Sequence, residues 1–201
     1  MLANVALVAV IARTSDSQRA ARTDVRTVSR LLVTTLLCAA AAFMAVGAQG
    51  APQKPEQQAG IANLLVDRIN AFRAERGLAP VRPAPSLRLA ALDHTRDQTA
   101  KGVFSHDSPD GTPFGDRIAR FYGKRGFSHW SVGENLLYGP VSTDPDAALR
   151  AWIASPPHLK ILLDPSWRDI GIVALLASQA PGEFGGRDVV VITSDFGFRS
   201  R

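Results

Sequence analysis

The sequence predicts an α+β fold, with about four helices around a small antiparallel sheet. Two observations carry that reading. Apolar residues recur at helical spacing through residues 59–122, while β-rich runs at 169–177 and 188–198 close the chain. The composition agrees, because 201 residues with 46% hydrophobic and 20% charged side chains are ordinary for a globular protein. A domain of this size buries a core without covalent staples. No internal repeat is present.

The chain opens on a targeting region, residues 1–48. Residues 31–48 form an apolar run without a charge, preceded by Arg26 and Arg30 and ended by Val46, Gly47 and Ala48. A basic stretch, an apolar stretch and small residues at a cleavage position are the layout of a secretory signal peptide. A transmembrane anchor of nearly the right length is the alternative. Cleavage near Ala48 is preferred because no positive cluster follows the run. Residues 2–12 form a second, shorter apolar segment, for which two explanations compete: a downstream start such as Val25 or Val28, or a genuine first segment. The single cysteine, Cys38, lies inside the apolar run and leaves with it, so the mature domain has no disulfide.

The net charge of +5 invites a nucleic-acid reading, which the distribution removes. Five arginines against Asp16 and Asp24 place +3 before Leu31, leaving 18 basic and 16 acidic residues in the remainder. That remainder has no basic run interleaved with aromatics, so nucleic acid is not an expected partner. A membrane is expected to matter only through the N-terminal segment, if that segment is uncleaved.

Residues 49–58 read as a polar linker with two prolines, and the domain proper as 59–201. In the first helix Ile61, Leu64, Leu65, Ile69 and Phe72 fall on one face, with Arg68, Arg73, Glu75 and Arg76 opposite. Gly77 stops it. Ser86 is the expected N-cap of a second helix that runs to Lys101 and stops at Gly102, with Leu87, Ala90, Ala91, His94 and Gln98 sharing a face. Residues 107–113 carry turn chemistry. A third helix follows over 114–122, with Phe114, Ile118 and Phe121 inward, and then a short strand at 133–138. Asp144-Pro145-Asp146 opens a fourth helix that Pro156-Pro157 ends. The two late β-runs form a long hairpin around a Gly/Pro-rich loop at 178–187.

Five short segments stand in series here: Phe104-Ser105-His106-Asp107, Gly133-Glu134-Asn135, Trp152 through His158, Asp169-Ile170-Gly171-Ile172, and Ser194-Asp195-Phe196-Gly197. In that order and spacing they resemble the bacterial, cysteine-free branch of the CAP superfamily, with cysteine-rich secretory proteins, venom antigens and pathogenesis-related proteins. The resemblance covers residues 59–198. It implies a three-layer α-β-α sandwich and a secreted domain. It also implies a cleft where His106, Glu134 and His158 converge, supported by Ser105, Asn135 and Asp195.

The chemistry of those residues is independent of the family. An imidazole titrates near neutrality, and a neighbouring carboxylate stabilises its charged form. Two histidines and a carboxylate are a plausible first shell for a divalent metal such as Zn²⁺, with His106 and His158 as the ligands. Many relatives add a second Glu from the fourth helix. Here that helix has only Asp146, at its first turn, so metal affinity is expected to be weak or absent and no cofactor to be required. A structural role for the same three residues is the competing reading, since buried polar groups must be paired. Asn135 is read as bridging backbone groups. Ser105 would need His158 as its base to act as a nucleophile, and no Gly-x-Ser-x-Gly elbow occurs. His94 is expected in the core, His129 at the surface, and Trp152 in core packing. The function expected is binding of a small apolar or lipid-like ligand or a cell-envelope partner. A hydrolase with Glu134 or His106 as base, and an interaction module with an inert cleft, are the alternatives.

Overall fold

A computed structural model describes residues 54–201. The predicted signal peptide, Cys38 and the first residues of the 49–58 linker lie outside the described residues. In chain order the elements are β1 (Glu56–Gln57), α1 (Ala59–Ala74), β2 (Arg82–Pro83), α2 (Pro85–Lys101), α3 (Phe114–Ala119), β3 (His129–Pro140), α4 (Pro145–Ala154), α5 (Pro156–Leu163), β4 (Asp169–Ala180) and β5 (Arg187–Ser200).

The sheet runs β1-β4-β5-β3, with β2 also against the outer edge of β4. All pairings are antiparallel except the short parallel one between β2 and β4. Strand alternation then assigns side chains to two faces. On β3, Val132 packs with Leu87, Phe114 and Ile118 from α2 and α3. Leu137 points the other way, into a cluster with Leu65, Ile69, Trp152 and Leu162 from α1, α4 and α5. The result is the expected three layers, with α2 and α3 on one face and α1, α4 and α5 on the other.

Several sequence signals act as expected. Gly102 ends α2 at φ 68°, and a Cβ there would meet the backbone of Gly182 at 2.7 Å, so only glycine fits. Asp144 caps α4 by accepting from Ala147 N at 2.6 Å, with Pro145 in the first turn.

Other expectations need correction. Pro156-Pro157 does not only end α4: a proline at the first helical position lacks an N–H that would be unpaired anyway, and here it opens a fifth helix. α2 begins at Pro85 after Ala84, one residue before the expected Ser86 cap. The linker is not wholly outside the fold, because Glu56–Gln57 pairs with β4. All three long strands extend beyond their predicted limits, since pairing across 12 positions of β3 and β5 carries polar ends along with the apolar middle. Leu64, expected inside, is 48% exposed. Arg73, expected outside, is fully buried. Its guanidinium donates to the carbonyls of Ala79 (2.9 Å), Leu162 (2.8 Å) and Asp164 (3.0 Å), meeting acceptors left at the C-terminal end of α5.

Candidate functional site

The site is built from the middle of β3 outward. Gly133 leaves room for Trp167, whose ring would come within 2.8 Å of a Cβ at that position. Glu134 and Asn135 follow on successive pleats, so their side chains leave the strand on opposite faces.

Glu134 points toward α2 and α3 and is fully buried. His106 Nδ1 donates to its Oε1 at 2.7 Å, and Arg117 from α3 donates to its Oε2 at 2.5 Å. Directly across the ladder lies Asp195 of β5, also fully buried, with Oδ2 3.9 Å from Arg117 Nη1. One guanidinium therefore serves two carboxyl groups. Burial alone would push Glu134 up, but the charges of Arg117 and His94 and the bond from His106 outweigh it and hold Glu134 at about 2. Asp195 goes the other way. Burial first, and the charge of Glu134 second, raise its carboxyl well above the usual range.

The loop carrying His106 is fixed at both ends. Phe104 packs edge-on against Tyr138 (4.8 Å between ring centres) and Phe184 (6.2 Å). Asp107 Oδ1 accepts from Phe114 N at 2.9 Å and closes the turn into α3. Ser105 contributes its main chain: its carbonyl accepts from Gln98 Nε2 (2.8 Å) and His94 Nε2 (2.9 Å). Burial lowers His94 to about 4, so it is neutral near pH 7.

His158 is reached from the other face of β3. Asn135 Nδ2 donates to the His158 carbonyl at 3.2 Å, while His158 Nδ1 lies 2.8 Å from Ser155 Oγ. The two site histidines are thus tied to adjacent residues of one strand, His106 through Glu134 and His158 through Asn135. Asn135 makes one backbone bond where two were expected. His94 is buried and His129 is exposed, both as expected.

One expectation is corrected. The trio is not an open surface cleft, since Glu134 is 0%, His158 1% and His106 8% exposed. The carboxylate that a two-histidine metal shell would use is committed to protein partners. Both Glu134 oxygens are engaged, and among the described residues no group of three or more His, Cys, Asp or Glu could hold a metal ion. Sequence reasoning missed Arg117. Its one signal was position: it stands three residues after Phe114 and beside Ile118, on the apolar face of α3.

The acid pair predicts a pH signature. A carboxyl with a raised folded pKa contributes fully below its unfolded pKa of about 3.9, and that contribution is lost as pH rises toward the folded value. The chain should therefore lose stability as pH rises above about 4, relative to Asp195→Asn, which keeps the shape and needs no proton. Urea melts at several pH values read this, and parallel pH profiles for the two proteins would refute it. Glu134, with a depressed pKa, works in the opposite sense. Its contribution is present above about 4.3 and is lost as pH falls toward 2.

Comparison with known proteins agrees with this architecture. The profile of the CAP, cysteine-rich secretory protein, family matches residues 66–192. The chain is 33% identical over 109 residues to the uncharacterized protein YkwD of Bacillus subtilis (strain 168), covering 54% of this chain and 40% of that one. It is 30% identical over 108 residues to the uncharacterized membrane protein YlbC of the same organism, covering 54% and 30%. Among solved structures it is similar to an extracellular protein containing an SCP domain from Bacillus anthracis str. Ames (TM-score 0.53, 27% identity, 71% of this chain and 41% of that one). It also shares its fold with an outer surface protein of Borrelia burgdorferi (TM-score 0.55, 21% identity, 69% and 92%). The match spans less than half the length of both Bacillus subtilis relatives.

Proposed function

Since the chain belongs to the CAP family of cysteine-rich secretory proteins, we propose that it is an exported binding domain and not a hydrolase. Its ligand is a small apolar or lipid-like molecule or a cell-envelope partner, and it needs no cofactor. The apolar run at 31–48 with its preceding arginines supports export, as does the similarity to an extracellular SCP-domain protein. No helix among the described residues is long and apolar enough to cross a membrane.

One observation carries the preference for binding: Glu134 is buried and held ionised between His106 and Arg117. A general base must reach a substrate proton and have a pKa near the working pH, and a carboxylate fixed at about 2 meets neither need. Its role in this reading is to lock the His106 loop and α3 onto the sheet. A divalent metal would have only the imidazoles of His106 and His158.

Zinc titration by calorimetry on the purified chain tests this. The expected result is no tight stoichiometric heat. Tight 1:1 binding abolished by His106→Ala/His158→Ala would overturn the reading and favour a metal-assisted hydrolase. A metal-free hydrolase has one observation in its favour, the 2.8 Å contact between Ser155 Oγ and His158 Nδ1, which is within nucleophile–base reach. Loss of a measurable esterase turnover in Ser155→Ala, with the fold retained, would establish it.

A further inference from the structure

We propose that the open outer edge of β4 is a docking site for a short extended peptide, which adds to the sheet at Ile172 between β1 and β2. The inference rests on reading the domain as a binding module, and it names the partner class and the surface. β2 pairs with this edge at Asp169 and Ile170, and β1 pairs with it at Leu175 and Leu176. Neither strand pairs with residues 171–174. Two main-chain bonds fix which groups face outward there. Ala84 N donates to the Ile170 carbonyl (2.8 Å) and Gln58 N donates to the Ala174 carbonyl (2.9 Å), so the even residues of β4 present N–H and C=O to the edge. Ile172, midway between them, presents both in the same direction.

Ile172 is only 4% exposed and lies at the floor of a depression beside that edge. This groove of about 420 Å³ runs between Ala62 and Val66 of α1 and the Pro83–Pro85 segment. It continues past Ala62 and Arg88 into a second depression of about 230 Å³. The combined size is that of a small-ligand site. An unpaired strand edge in such a groove is the usual receptor for strand addition, where main-chain bonds give affinity and alternate side chains give specificity.

The chemistry selects a peptide over a lipid tail. An apolar chain would cover the Ile172 amide and carbonyl without bonding them, which costs free energy. One residue of an extended peptide supplies a matching N–H and C=O on one side. By pleat alternation, its side chain would share the face of Ile172 and meet Ala62 and Val66. Its neighbours would turn toward α2, where exposed Arg88 favours acid, while Asp67 lines the opposite, α1 side of the groove. The chain's own Lys54 and Pro55 do not fill the gap. β1 runs antiparallel to β4, so they lead past Leu176, away from Ile172.

The test uses capped tripeptides, acetyl-Glu-X-Glu-amide with X as Ala, Val, Leu or Phe, titrated into the ¹⁵N-labelled full chain. At least one member should shift the Ile172 amide resonance saturably at millimolar concentration. Methylating the amide nitrogen of residue X should weaken binding at least tenfold. Arg88→Glu should weaken it similarly and restore binding to the Lys-X-Lys series, and Ala62→Trp should block both. No saturable shift at Ile172 from any member, or binding indifferent to N-methylation, would overturn the proposal. That failure is separable from failure of the binding reading. The zinc titration reports on His106 and His158, and the peptide shifts report on Ile172.

Discussion

Arg117→Met should be among the most damaging single substitutions in the domain, costing about 3–5 kcal/mol, because it leaves a buried carboxylate without its cation. Arg117 is 1% exposed, donates to Glu134 Oε2 and lies 3.9 Å from Asp195. Methionine keeps the apolar contacts along α3 but leaves Glu134 with His106 alone. The carboxyl then relieves its burial by taking a proton, and the pH dependence reverses. Glu134 now stabilises only above its unfolded pKa of about 4.3, whereas in Arg117→Met its folded pKa is raised. Its contribution in the variant would be present below that value and lost as pH rises. The double variant Arg117→Met/Glu134→Gln removes both charges and should recover much of the loss, since the two sites share one interaction. Urea denaturation of the three proteins from pH 4 to 8 measures this. Additive losses with unchanged pH slopes would show that the ion pair contributes little.

Trp152→Ala should cost a similar amount, about 3–5 kcal/mol, for a different reason. The indole is fully buried among residues of α1, α4 and the sheet. Its Nε1 also donates to the Leu136 carbonyl at 3.1 Å, an outward-facing acceptor on β3, the last strand of the sheet. Trp152 therefore fills the core and closes an edge that would otherwise present an unpaired carbonyl. Trp152→Phe separates the two roles. It keeps most of the apolar volume and should lose about 1–3 kcal/mol, largely from leaving the carbonyl unsatisfied. If phenylalanine proves as costly as alanine, the hydrogen bond that both variants lack, and not the apolar volume, dominates at this position.

The site was partly legible in the sequence. His106 and Glu134 do meet, and Asp195 does lie beside Glu134 as its cross-strand neighbour. The segments that carry them are short, polar and bounded by Gly or Pro, and such punctuation is local. The chemistry of the meeting was not legible. Nothing near Glu134 in sequence marks Arg117 as its partner, because periodicity reports only which face of a helix is buried. An arginine on that face looks like an exception until its carboxylate is known. Arg73 is the same case: the helical pattern placed it in solvent, and the carbonyls of Leu162 and Asp164, far along the chain, hold it inside.

By itself the sequence determined the α+β class, the order of most elements, the stop at Gly102, the cap at Asp144 and the family's five signature segments. Each of these depends on residues within a turn or two of one another, where backbone geometry and side-chain type act directly. The tertiary structure alone decided that the polar trio is buried and not an open cleft. It also decided that Glu134 is spent on an ion pair, that the Asp195 carboxyl is pushed well above the usual range, and that β4 keeps an unpaired stretch at Ile172. Those outcomes depend on which distant groups share a low-dielectric interior. There the balance between desolvation and charge pairing is set by packing, and local pattern carries no record of it.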